Sequence, residues 1–169
     1  IKAGFITGSL DVTTTEFWVP PNSWPGAWAY NVVATIPGTS RPDEWYVVGG
    51  HYDSTTSSNP SVAAPGADDN ASGCAGTLEL ARLFAAHPPD ATLVFICFSG
   101  EEQGLYGSED YVADLLGAGD LAQVQGAYVL DMIAFADIEF DDAPLFVGTD
   151  EDHVRFDPAL ITGIFGLPA

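Results

Sequence analysis

Residues 91–98, ATLVFICF, form an unbroken apolar run. A strand with one face in water alternates apolar and polar residues, so a run without polar interruption belongs inside a sheet covered on both sides. Covering layers are therefore required, and the rest of the chain offers them. Residues 73–87 read as a helix in which Leu78, Ala81 and Ala85 recur at helical spacing, with His87 at its C-terminal end and Pro88 and Pro89 to stop it. Residues 108–116, SEDYVADLL, read as a second helix, with Ser108 as N-cap and two acids in the first turn.

Strands are expected at 30–36 (YNVVATI) and 45–50 (WYVVGG), separated by the turn-rich PGTSRPDE, and an interior strand at 126–135 (GAYVLDMIAF). Residues 54–72 have the Ser, Thr, Asn, Pro and Gly content of a long surface loop. Beyond Asp137 the pattern weakens to a strand at APLFVG and a short helix at PALITGIF. Strands alternating with helices predict an α/β fold, a three-layer sandwich around a largely parallel central sheet. No repeat or second domain is evident in the 169 residues. The chain reads as one domain, with 1–29 as an N-terminal extension, 30–135 as the core and 136–169 as the C-terminal part.

Charge narrows the function. Twenty-four acids face four bases, Lys2, Arg41, Arg82 and Arg155, for a net charge of −20. Nucleic-acid binding needs clustered Lys and Arg and is excluded on that balance. The acids are expected to solvate the surface, to hold cations, or both. No apolar stretch approaches the roughly 18 residues of a membrane span. An opening without Met or a basic n-region is expected of a processed product. Cys74 and Cys97 are expected to be small core residues not bonded to each other.

The polar chemistry collects where strands end. His51 and Asp53 close GGHYDS, Glu101 and Glu102 close SGEEQG, Asp131 lies in LDMIAF, and PGADDNASG stands just ahead of the first helix. In open α/β sheets the carboxyl ends of strands form the ligand crevice. Carboxylates gathered there must be paired, protonated or metal-bound. Almost no Lys or Arg is near these motifs, so divalent cations are the expected partner. Asp69 or Asn70 is available to cap the following helix.

These segments, NVVATIPGTSRPDEWYVVGGHYDS, PGADDNASGCAGTLELARLF, TLVFICFSGEEQGLYGSEDYV and LDMIAF, resemble the M28 family of zinc aminopeptidases in order and spacing over about residues 30–135. The resemblance implies the phosphorylase/hydrolase-like fold of zinc exopeptidases and two zinc ions, with Mn or Co also compatible with the ligand types. It implies that His51 and Asp131 hold one zinc and Glu102 the other, that Asp68 bridges them, and that Asp53 accepts the second ring N–H of His51. Glu101 is implied to stay unligated as general base. His153 in DEDHVRF is the implied further ligand of the second zinc. Only residues 132–152 separate it from Asp131, fewer than the family pattern has, so the C-terminal part is read as shortened.

The implied activity is removal of N-terminal residues from peptides or proteins, because an acidic site welcomes a cationic α-amino group. Secretion is expected with the family. The alternative is a non-catalytic binding or assembly domain on the same fold that has lost one or both metals. Phe17, Trp18, Trp24 and Trp28 read as packing residues, with a substrate pocket as their other possible role.

Overall fold

The computed structural model describes residues 10–21, 25–57, 59–60 and 62–134, together with the backbone of 146–149 and 152–155. Five strands, β1 (Asp11–Val19), β2 (Ala27–Ile36), β3 (Arg41–His51), β4 (Ala91–Phe98) and β5 (Val124–Val129), form one sheet in the order β1-β2-β4-β3-β5. β4 takes the central place its composition demands. Leu93, Phe95, Ile96 and Cys97 are fully buried.

Helix α1 (Gly73–Ala86) covers one face of the sheet and α2 (Tyr106–Ala118) the other, so the sandwich expected from the sequence is present. Period-two alternation sends Leu93, Phe95 and Cys97 with Val32, Ala34 and Ile36 toward Cys74, Ala81 and Phe84 of α1. Val94, Ile96, Val33 and Val47 turn to the opposite face, where Tyr111 of α2 packs. Burying each of these aliphatic side chains stabilises the fold by about 1.5–3 kcal/mol.

The sheet is mixed rather than largely parallel. β3 runs parallel to both β4 and β5, but β2 is antiparallel to β4 and β1 antiparallel to β2. The connections explain this. The stretches at 20–26 and 37–40 are too short for the crossover that parallel neighbours need, whereas β3–α1–β4 and β4–α2–β5 carry helical crossovers. Part of the expected N-terminal extension is thus edge strand. In β1, Phe17 is buried, and Trp18 meets Trp28 edge-to-face at 5.4 Å on the exposed side; Trp24 lies outside the described residues.

Three local expectations change. β5 stops at Val129 and, among the described residues, borders this sheet with Tyr128 and Val129 exposed, where a longer interior strand is expected; residue 135 lies outside the described residues. α2 starts at Tyr106 after Leu105 in the left-handed region (φ 64°), and Ser108 lies inside it, donating to the Leu105 carbonyl at 3.0 Å. The late strand is β6 (Phe146–Thr149), paired antiparallel with β7 (Asp152–Arg155). The helix expected at PALITGIF lies outside the described residues. Cys74 and Cys97 are free and buried, as expected, and a mutual hydrogen bond and burial push the Cys97 thiol far up.

Close approach at the start of α1 depends on Gly50. A Cβ there would stand 2.8 Å from the Leu130 carbonyl oxygen and 3.0 Å from the Gly73 carbonyl carbon. β3, α1 and the chain after β5 therefore meet at backbone contact distance. Replacing Phe95 with Ala at the sheet centre is expected to cost about 3–5 kcal/mol. Urea unfolding followed by circular dichroism checks this; a change within about 0.5 kcal/mol, as at a surface site, contradicts the burial.

Candidate metal centre

His51 is the last residue of β3, and its side chain is only 4% exposed. Its Nδ1 lies 3.1 Å from the main-chain carbonyl oxygen of Asp53 and 3.7 Å from the Asp53 carboxylate. A carbonyl can only accept, so Nδ1 carries a proton and donates it there, which leaves Nε2 to face the site. Asp53 does stand behind His51, but the nearer acceptor is its backbone oxygen. Its carboxylate is engaged elsewhere: Oδ1 and Oδ2 accept the Glu101 and Glu102 amide N–H groups at 3.2 Å each.

Those two amides belong to a tight turn after β4. Gly100 adopts φ 72°, a conformation open to glycine, and Gly104 and Leu105 donate back to the Glu101 carbonyl at 2.8 and 2.9 Å. The turn sends Glu101 toward His51, with Oε2 3.8 Å from Nε2, and lets Glu102 Oε1 accept the Thr55 N–H at 3.1 Å. Gly50, His51, Glu101 and Asp131 share a cavity of about 140 Å³ with the apolar side chains of Phe98, Leu105 and Val129.

The ADDNAS segment corrects the sequence reading. Ala67–Ser72 is an irregular turn in which Asp69 (φ −97°, ψ 95°) and Asn70 (φ −134°, ψ 43°) depart from helical geometry. It presents Asp69, not Asp68, to the site: Asp69 Oδ1 is 3.2 Å from His51 Nε2. Asp68 faces the other way, where its Oδ1 accepts the Ala134 N–H at 3.0 Å and the Ser72 hydroxyl at 3.3 Å. The bridging role expected of Asp68 therefore does not fit its position. Asn70 accepts the Gly73 N–H at 2.9 Å, the capping role open to it. Asp131 arrives from the chain just past β5, with Oδ1 3.7 Å from Nε2.

Three carboxylates thus crowd one ring nitrogen. Burial alone would lower the His51 pKa, but the nearby Asp53 carboxylate and the charges of Glu101 and Asp131 outweigh it and lift it to about 9. Burial raises Glu101, with Asp53, Asp131 and Asp69 adding to the effect, and burial and Asp69 raise Glu102. Asp53 moves down despite burial, because His51 and the two glutamate amides hold its anion. A cluster that takes up protons in this way is also disposed to take up a cation.

The donor geometry fits one. Ligand atoms of His51, Asp69 and Asp131 lie within 4.8 Å of one another, and so do those of His51, Glu101 and Glu102. Imidazole with carboxylates suits zinc, and Mn or Co as well. His153 lies in β7 opposite Gly148, and its side chain is outside the described residues.

Comparison with known proteins gives the family. The sequence model of peptidase family M28 matches residues 31–159, more than half of the chain. The chain belongs to peptidase family M28. A probable zinc metalloprotease of Pyricularia oryzae is 59% identical over 80 residues, covering 46% of this chain and 16% of that one. Among solved structures, the aminopeptidase from Aneurinibacillus sp. strain AM-1 superposes with a TM-score of 0.56 at 37% identity, covering 64% of this chain and 25% of that one. A zinc aminopeptidase from Bacillus subtilis gives a TM-score of 0.55 at 33% identity, covering 65% and 26%. This M28 chain spans about a sixth of the first relative and a quarter of the two aminopeptidases.

The raised His51 pKa sets a pH dependence. Between the ordinary value of 6.5 and about 9, the folded imidazole keeps a proton that the unfolded chain has released. Stability of the metal-free chain from this group is complete below 6.5 and is lost as pH rises through about 9. Zinc competes with the same proton, so its affinity rises across that window. Thermal melts of the metal-free chain and calorimetric zinc titrations over this range check both; a melting temperature that climbs with pH contradicts the assignment. Asp53→Asn is expected to shift the window downward.

Proposed function

We propose that this chain carries the metal centre of an aminopeptidase and hydrolyses the N-terminal peptide bond of peptides or proteins at a dinuclear zinc site. The observation that carries the reading is the convergence of Asp69, Glu101 and Asp131 within 3.2–3.8 Å of His51 Nε2. Without cations such a group is mutually repulsive, and family membership says which cation to expect. His51 and Asp131 would hold one zinc and Glu102 the other, with Asp69 in the bridging place and His153 proposed as the further ligand of the second. Bound zinc supplies Lewis acidity that polarises a carbonyl and acidifies water.

The chain's own groups do the rest. Glu101, with its carboxyl raised by burial and neighbouring acids, is suited to accept the proton of the attacking water and return it to the leaving amine. The acidic surroundings hold a protonated α-amino group and repel a substrate carboxylate. Among the described residues, the cations Arg41 and Arg82 are exposed and paired with Glu44 and Glu79. Neither is an anchor for a C-terminal carboxylate. The cavity walled by Phe98, Leu105 and Val129 suits an apolar side chain next to the scissile bond.

Glu101→Gln is expected to keep bound zinc but to lower turnover of an aminoacyl chromogenic substrate by about 10²–10⁴-fold, the range of general-base catalysis. Unchanged turnover removes Glu101 as base. Asp69→Asn is expected to lower zinc stoichiometry, read by elemental analysis after gel filtration. Full occupancy in that variant contradicts the bridging place. A wild-type chain that binds zinc yet hydrolyses no such substrate would favour the non-catalytic binding domain.

A further inference from the structure

The position of Asp131 is not set by the sheet. The last ladder bond of this segment is Leu130 N–H to the Gly49 carbonyl at 2.7 Å, and β5 itself ends at Val129. Beyond that point the chain turns through Met132 in the left-handed region, φ 48°. An L-residue with a side chain adopts that conformation only at a steric cost. Something outside the segment must hold it.

The holding groups are three alternate side chains of ADDNAS. Asn70 Oδ1 accepts the Met132 N–H at 3.3 Å, Ser72 Oγ accepts the Ile133 N–H at 3.1 Å, and Asp68 Oδ1 accepts the Ala134 N–H at 3.0 Å. Asn70 Nδ2 also donates to the Leu130 carbonyl at 2.8 Å, so one amide grips the backbone on both sides of Asp131. Asn70 and Ser72 are buried, and the Ser72 hydroxyl is oriented by donating to the Asp68 carbonyl at 2.7 Å. Asp69, between them, is left to face His51 Nε2.

We infer that Asn70, with Ser72 and Asp68 beside it, is a positioning residue that fixes the Asp131 carboxylate against His51 and couples it to Asp69. The six-residue turn is a comb: its alternate members clamp the 130–134 segment while the intervening Asp69 enters the metal centre. This rests on the metal-centre reading, and deepens it by assigning the two acids of Asp68-Asp69 different work. Asn70 and Asp68 act through Asp131 and need not touch an ion. Asn70→Asp keeps the acceptor oxygen but replaces the donor to Leu130 with a second, charged acceptor oxygen, and Asn70→Ala removes both.

The test is a double-mutant cycle on cation affinity in the full chain. Zinc and cobalt(II) binding are measured by calorimetry and by the visible absorption of the cobalt form, with circular dichroism as the folding check. Asn70→Ala is expected to weaken binding at least tenfold and to change the cobalt spectrum. In an Asp131→Asn background the same substitution is expected to add less than threefold. Ser72→Ala, which deletes a single bond to the segment, is the milder second variant and is expected to weaken binding about threefold. Thr77→Val, a buried change in α1 that loses a hydrogen bond to the Gly73 carbonyl, controls for general loss of stability and is expected to leave affinity unaltered.

Equal losses from Asn70→Ala in both backgrounds, or a matching loss in Thr77→Val, overturn the positioning role while leaving the metal centre intact. Wild-type chain that binds neither zinc nor cobalt overturns the metal centre itself, and this role with it.

Discussion

Repulsion among carboxylates around one buried imidazole is the constraint to which the rest of this molecule answers. Asp69, Glu101 and Asp131 point at the same nitrogen from three separate parts of the chain, held there by the turn after β4 and by the bonds from Asp68, Asn70 and Ser72 to the 132–134 backbone. Desolvation magnifies the cost, because less water remains to screen them. The lifted His51 pKa and the raised carboxyls of Glu101 and Glu102 express that tension as proton uptake. A bound divalent cation would relieve it more completely.

Architecture and chemistry meet at β3 and β4. The parallel pair delivers His51 and the 99–105 turn to the same end of the sheet, and the glycine at position 50 lets α1 approach closely enough to bring ADDNAS over it. On the antiparallel side, buried Asn31 of β2 accepts the Ser99 N–H at 3.2 Å and donates to the Gly107 carbonyl at 2.8 Å, bracing the turn that carries both glutamates. Stability and function are therefore spread along the same strands: the apolar centre of β4 tolerates no gap, while the ends of β3 and β4 carry the reactive groups.

Much of this was readable from the residues. The run ATLVFICF could only be a central strand, and reactive side chains stationed after three strands could only converge if those strands ran parallel. Two things were hidden. Adjacent Asp68 and Asp69 are the same residue type, and which of them enters the site is decided by the backbone angles at Asp69 and Asn70 and by bonds to amides more than sixty residues away. Likewise YVLDMIAF has the composition of an interior strand, yet the bond from Leu130 to Gly49 is where the sheet lets go and the side-chain bonds from 68, 70 and 72 take over. The N-terminus of α2 differs from the sequence expectation for a similar reason: Leu105 takes a left-handed angle that its type does not advertise.

Asp53 has a consequence for how such a site can change over evolutionary time. Its main-chain oxygen orients the imidazole, and its two carboxylate oxygens seat the amides of both glutamates. His51, Glu101 and Glu102 are thereby referenced to a common origin, so a substitution that shifts one displaces the others in step. Drift in this corner is confined to concerted changes, whereas the side chains of Leu105 and Val129 only line the cavity and carry none of these bonds.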